Sequence, residues 1–137
     1  MTPMKTLATM LATLAAALSV ATAAHAAPPA PAVQAEIHAL LASLGGSGCQ
    51  FDRNGTWYPA PQAQAHLQRK LDAVEDHGTL QSTEQFIDAA ATRSSITGDP
   101  YHVKCGNEAP MESRAWLTAR LAQLRAHPQP VPVPAGH

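Results

Sequence analysis

Apolar residues recur along this chain with two different periods. Val33, Ile37, Leu40, Leu41 and Leu44 follow helical spacing, and Gly45-Gly46 stands ready as a stop. The period then falls to two. Cys49 and Phe51 alternate with polar neighbours up to Asn54-Gly55, the dipeptide favoured where both residues of a tight turn need positive φ. This predicts a β-hairpin over Gly48–Tyr58. Its register sets Arg53 opposite Thr56, Asp52 opposite Trp57 and Phe51 opposite Tyr58, with Cys49, Phe51 and Tyr58 on the buried face. Asn54-Gly55-Thr56 also spells a glycosylation sequon, but on so tight a turn these residues serve the backbone.

Helical spacing returns after Pro59 and Pro61, with Ala63, Leu67, Leu71 and Val74 as the stripe and Gly78 as the stop. His66 and Lys70 flank that stripe, while Asp72, Glu75 and Asp76 fall mostly outside it. Ser82 with Gln85 three residues later is a capping-box pattern. It opens a third helix over about Thr83–Thr92, burying Phe86, Ile87, Ala90 and Ala91. Thr97-Gly98-Asp99-Pro100 is a turn by composition, and Tyr101, Val103 and Cys105 then alternate as a short core-facing strand. A loop over Gly106–Pro110 leads to a fourth helix that begins at Glu112 or Ser113. Leu117, Leu121 and Leu124 form its stripe, with Trp116 at the edge. The expected fold class is α+β: a small three-stranded antiparallel sheet, the hairpin plus one later strand, packed on one face by about four amphipathic helices.

What precedes this pattern changes the address. Met1–Lys5 carries one positive charge, Leu7–Val20 is an uncharged run of apolar and small residues, and Ala24-His25-Ala26 offers an A-x-A site. Residues 1–26 therefore read as a secretory signal peptide, cleaved between Ala26 and Ala27. The apolar run is too short for the ~20 residues of a transmembrane helix. No cysteine stands at the cleavage site for lipidation, so no membrane anchor is expected after cleavage. Residues 27–32 form a Pro/Ala-rich linker, 33–126 a single domain, and 127–137 a Pro-rich tail expected to be disordered. The formal net charge of −1 with histidine neutral excludes the basic excess that nucleic acid or an anionic membrane surface would require.

Cys49 and Cys105 are the two cysteines of the chain. In an oxidising compartment they most simply form one disulfide, which the chain-entropy model values at about 4 kcal/mol for a loop of this length. Metal ligation and a redox thiol are the alternatives, and neither C-x-x-C nor a Cys/His spacing is present to favour them.

For chemistry, the stretch Arg93–Gly106 is the densest. Ser94 or Ser95 as a nucleophile would need a base, for which His66, Lys70 and His102 are the candidates, and oxyanion donors. There is no G-x-S-x-G and no S-x-x-K, and the plainer role for Ser94, Ser95 and Thr97 is to satisfy loop backbone. Lys70, Arg93 and Lys104 beside these hydroxyls could form an anion pocket, since an arginine fork matches carboxylate or phosphate. The competing role for Arg93 is to hold the loop by bonding carbonyls or Asp99. His38, His66, His77, His102, His127 and His137 show no zinc-like spacing, so no metal and no cofactor are expected. Asp72, Glu75 and Asp76 read as a solvated helix face, and Trp57 and Trp116 as core or rim aromatics.

The ordered blocks also match a known pattern. They are Gly48-Cys49-Gln50-Phe51-x-Arg53-Asn54-Gly55-x-Trp57-Tyr58, Ala65-His66-Leu67-x-x-Lys70, Glu84-Gln85-Phe86-Ile87, Arg93-Ser94-Ser95-x-Thr97-Gly98-x-Pro100-Tyr101-x-Val103-x-Cys105 and Trp116-Leu117. Together they resemble the YfeK-like family of small exported proteins of Gram-negative bacteria, over about Val33 to Arg125. The resemblance implies a periplasmic protein with one disulfide and carries no catalytic role to any residue. The chain departs from the pattern at Pro59-Ala60-Pro61, where such proteins often start the second helix with serine and small residues.

The expected function is a non-enzymatic periplasmic module that binds a protein or a small anionic ligand through the Arg93–Pro100 turn and its neighbours. Its expected contacts are Lys70, Arg93, Ser94, Ser95, Thr97 and Tyr101. A small serine hydrolase using Ser94 or Ser95, and an inhibitor of an envelope-targeting enzyme, are the alternatives.

Overall fold

The computed structural model describes residues 29–128. The expected signal peptide with its Ala26–Ala27 site, the first two linker residues and the tail beyond residue 128 lie outside the described residues. Four helices and four short strands follow in the order α1 (Pro31–Gly45), β1 (Gln50–Arg53), β2 (Thr56–Pro59), α2 (Ala60–His77), α3 (Thr83–Ala90), β3 (His102–Lys104), β4 (Met111–Glu112) and α4 (Ser113–Ala126).

The hairpin has the expected register: Arg53 pairs with Thr56, Asp52 with Trp57 and Phe51 with Tyr58. Asn54 at φ 54° and Gly55 at φ 83° make the turn that this dipeptide favours. The sheet order is β2-β1-β3-β4, antiparallel throughout. It has four strands where three were expected. The added strand, β4, pairs Met111 with Val103 and Glu112 with His102. Two residues directly after Pro110 are too few to show a period, and the pairing comes from the chain folding back after Cys105.

The helix stripes bury as their spacing requires. Ile37, Leu40, Leu41 and Leu44 of α1, Leu67 and Leu71 of α2, Phe86 and Ile87 of α3 and Trp116, Leu117 and Leu121 of α4 join Phe51 and Val103 in one core. Phe51 and Trp116 meet edge to face, with ring centres 5.6 Å apart. Helix α2 packs against β1 and β2, α4 packs against β3 and β4, and α1 lies across α2, α3 and α4. The outer sheet face carries Trp57, with the Lys104 ammonium 4.9 Å from its ring centre.

Helix boundaries differ in small ways from the sequence reading. Helix α1 starts at Pro31, inside the expected extended linker, because proline is tolerated at the first positions of a helix. Helix α2 starts behind Pro59 with no side-chain cap, so Pro59-Ala60-Pro61 replaces the serine cap by a preset φ. Helix α3 is capped by Ser82, whose hydroxyl accepts from the Gln85 amide, and it ends at Ala90, two residues early. Thr92 leaves the helix and its hydroxyl donates to the Ile87 carbonyl at 2.7 Å.

Two fasteners hold the layers. The Cys49–Cys105 disulfide joins the start of β1 to the end of β3 across 56 residues of sequence. On the far side of the helices, Arg125 of α4 binds Glu36 of α1 and Glu84 of α3, and the buried Thr83 hydroxyl donates to Glu36 at 2.6 Å. The arginine bonds hold both carboxyls below the usual carboxylate range.

Candidate functional site

Lys70 and Tyr101, both expected at the site, do meet. The Lys70 ammonium donates to the Tyr101 hydroxyl at 3.1 Å and to the Arg93 carbonyl at 2.8 Å, and it lies 4.9 Å from the Tyr101 ring centre. Three residues outside the expected set complete the cluster. His66, one helical turn before Lys70, places Nε2 at 3.2 Å from the Tyr101 hydroxyl. Its Nδ1 is 2.8 Å from Arg53 Nη1. Arg53 Nη2 reaches the Tyr58 hydroxyl at 3.5 Å, and the guanidinium carbon sits 5.0 Å from the Tyr58 ring centre.

Proton positions follow from donor chemistry. A guanidinium has donors and no acceptor, so His66 Nδ1 must accept from Arg53. The neutral ring then carries its hydrogen on Nε2 and donates it to Tyr101. Burial, followed by the charges of Arg53, Lys70 and Arg69, lowers the His66 pKa to about 4, which keeps the ring neutral. The Tyr101 oxygen accepts from both His66 and Lys70, so its own hydrogen has no partner among the described residues. Burial pushes the Tyr101 phenol above its ordinary value, against a smaller opposing pull from Arg53, and so holds that hydrogen in place. Burial, then Arg53, lowers the Lys70 ammonium.

Arg53, Tyr58, His66 and Tyr101 of this cluster form one wall of a cavity of about 280 Å³, while Lys70 faces a second hollow. Leu44, Phe51, Ala63, Leu67, Ala91 and Leu117 line its apolar part. Arg53, Tyr58, Gln62, His66, Arg69, Tyr101 and Ser113 supply polar groups. Asp52 also contributes to the wall, and its Oδ2 lies 3.6 Å from His102 Nδ1, its cross-strand neighbour. Among the described residues Arg53, Arg69 and Lys70 take part in no ion pair.

The expected turn behaves differently. Ser94 is buried, and its hydroxyl accepts from the Ile96 and Thr97 amides at 3.2 and 3.3 Å. Its backbone donates to the Asp99 carbonyl and accepts from the Gly98 amide. The Thr97 hydroxyl donates to Asn54 Oδ1 at 2.8 Å and accepts from the Asp99 amide, tying the turn to the hairpin. The Arg93 side chain is exposed and makes no bond to Asp99 or to any other described residue. It pairs only through its backbone, bridging to Pro100. Ser95 is exposed and shares a second hollow, of about 400 Å³, with Lys70, His77 and Leu80. Among the described residues no histidine, lysine or carboxylate lies at hydrogen-bond distance from either serine hydroxyl, which leaves a nucleophile there without a base. No group of three or more metal-ligating side chains gathers among the described residues.

With this geometry in view, comparison with known proteins places the chain. The model of a family of unknown function, DUF5329, matches residues 31–125. The chain belongs to that family. The "Uncharacterized protein YfeK" of Salmonella typhimurium is 39% identical over 69 residues. The match covers 50% of this chain and 56% of YfeK, so the chain spans little more than half of that relative's length. The YfeK-like resemblance and the DUF5329 match thus agree. No solved structure matches. No described helix is long and apolar enough to cross a membrane.

For this DUF5329 chain, the sequence held a faint signal for the missed residues. His66 and Lys70 are four apart on α2, so they share one helix face beside the buried stripe. Arg53 is two residues beyond buried Phe51 on the same strand, so it faces the same way. Nothing local joins these two facts, because the strand and the helix meet only in the fold.

Proposed function

We propose that this is an exported, periplasmic binding module without catalytic chemistry of its own, taking a small anionic ligand in the cavity beside α2. One observation carries the reading. Arg53 and Arg69 line a largely apolar cavity and Lys70 bonds the Tyr101 hydroxyl at its wall; none of the three has an ion-pair partner among the described residues, and Tyr101 holds an uncommitted hydroxyl hydrogen. Unpaired cations that share partly buried space repel one another, and an entering anion relieves that repulsion. Export rests on the leader pattern of residues 1–26 and agrees with the oxidised Cys49–Cys105 pair.

The test is thermal unfolding in rising acetate or phosphate, with chloride at equal ionic strength as control. A ligand that binds only the folded state raises the midpoint with concentration. Wild type should show this rise and Arg53→Met should not. Equal rises in both proteins would mark a general salt effect and remove the proposal.

A second reading, presentation of the turn to a partner protein as an inhibitor would do, has one observation behind it. Ile96 is 91% exposed at the apex of a turn held by several cross-bonds. Capture of a periplasmic protein by wild type but not by Ile96→Asp would support it, and identical capture by both would end it.

A further inference from the structure

The cavity changes character along its depth. Leu44 of α1, Ala91 beyond α3 and Leu117 of α4 are fully buried and form its floor. Phe51, Ala63 and Leu67 close the sides. Arg53, Tyr58 and His66 are half-buried and make a polar belt, and Gln62 and Arg69 are exposed at the rim. A compact anion such as phosphate would fill the belt and leave the floor empty. Buried Ser113 adds one hydroxyl beside this floor, but its leucine and alanine surfaces offer water no hydrogen bonds. The arrangement suits a ligand with one anionic end and an apolar remainder.

Size and charge narrow the class. At about 30 Å³ for each non-hydrogen atom, the liquid share of a water, a 280 Å³ cavity holds roughly nine such atoms. A single negative charge fits the belt better than two, because each buried charge costs desolvation. The donors also fit a planar head group. Arg53 spends one N–H on His66 and another on Tyr58, so its guanidinium has others to offer, and Tyr101 has its single free hydrogen.

Resting on the anion-binding reading above, we infer that the ligand is a short acyl carboxylate of about six to eight carbons, seated tail-inward with its carboxylate at Arg53 and Tyr101. Neutral His66 is a positioning residue in this arrangement. It accepts from Arg53 and donates to Tyr101, so both groups are held toward the same head group.

The experiment is calorimetric titration of the purified protein with acetate, hexanoate and hexan-1-ol. Hexanoate should bind one site per chain at least tenfold more tightly than acetate, and at least tenfold more tightly than hexan-1-ol. Arg53→Met should bring hexanoate down to the affinity of hexan-1-ol. Ala63→Leu, which fills the side of the tail cavity, should bring the hexanoate-to-acetate ratio toward one. Ala91→Val serves as a second plug if Ala63→Leu does not unfold cooperatively. Hexanoate binding no tighter than acetate, with acetate still lost in Arg53→Met, would overturn the acyl inference and leave the anion site standing. Hexan-1-ol binding as tightly as hexanoate would also overturn it. Absence of all three ligands, or indifference to Arg53→Met, would remove both readings.

Discussion

The Arg93–Pro100 turn and the Arg53–His66–Tyr101–Lys70 corner both concentrate polar groups, but they use them in opposite ways. In the turn, Ser94 and Thr97 spend their hydroxyls on backbone amides and on Asn54, and the segment bonds back on itself. In the corner, Arg53 and Lys70 have no acid to pair them among the described residues, and one phenol is left with a hydrogen to donate. Polar density in sequence therefore marks the place where the chain needs its own hydrogen bonds. Polar groups left unspent in the fold mark the place where something else can bind. Lys70 connects the two, donating to the Arg93 carbonyl of the turn and to the Tyr101 hydroxyl of the corner.

The largest expected effect strikes both regions at once. The disulfide clamps β1, which carries Arg53, to β3, which follows directly from the turn and Tyr101. Replacing both cysteines by alanine should cost about 4 kcal/mol in urea unfolding, a large share of the 5–15 kcal/mol typical of a domain. A loss below about 1 kcal/mol would mean that the sheet pairing alone holds the two regions together.

Next comes the turn as scaffold. Ser94→Ala strands two amides and should cost about 1 kcal/mol, or about 4–8 °C in unfolding midpoint, while leaving ligand affinity unchanged. A tenfold loss of affinity at unchanged stability would reverse the roles assigned to the two regions.

A smaller effect isolates the corner by pH. His66 is held neutral in the fold with its pKa lowered to about 4, first by burial and then by the Arg53, Lys70 and Arg69 charges. A depressed folded-state value means that the unfolded chain takes up a proton first as pH falls. The stability from this residue is therefore complete above about pH 6.5, the free imidazole value, and is lost as pH falls from there toward 4. Solvent screening of a ring that is only partly buried limits the loss to about 1 kcal/mol. The loss between pH 7 and pH 5 should be visibly larger in wild type than in His66→Gln. Equal losses would mean that His66 is not the source; sensitivity confined below about pH 5 would point instead to the Glu36 and Glu84 carboxyls that Arg125 holds.

The smallest effect is also informative. Arg93→Ala removes an exposed side chain with no partner among the described residues, and should change stability by less than about 0.5 kcal/mol. A loss of 2 kcal/mol or more would restore the loop-holding role that its position in the sequence suggested.

Much of the fold was legible because each long element announces its period. The leucines of α1 and the Asn54-Gly55 turn name their structures within a dozen residues. Strand β4 was not legible, since Met111 and Glu112 pair only because Val103 and His102 lie opposite them. The site was half legible for the same reason. Tyr101 and Lys70 stood out in their own segments, whereas Arg53 and His66 become partners only when β1 is laid against α2. Arg93 was ambiguous in sequence because a lone arginine in a dense turn looks the same whether its guanidinium is engaged or free; in the fold it makes none of the loop-holding bonds its position suggested, among the described residues.

One titration places the two regions side by side. Amide resonances of the isotopically labelled protein, followed as hexanoate is added, report on both in the same spectra. The account predicts saturable shifts at Arg53, His66, Leu67 and Tyr101, with Ile96, Thr97 and Gly98 unmoved. Shifts that gather at Ile96–Gly98 and spare Arg53 and His66 would contradict it.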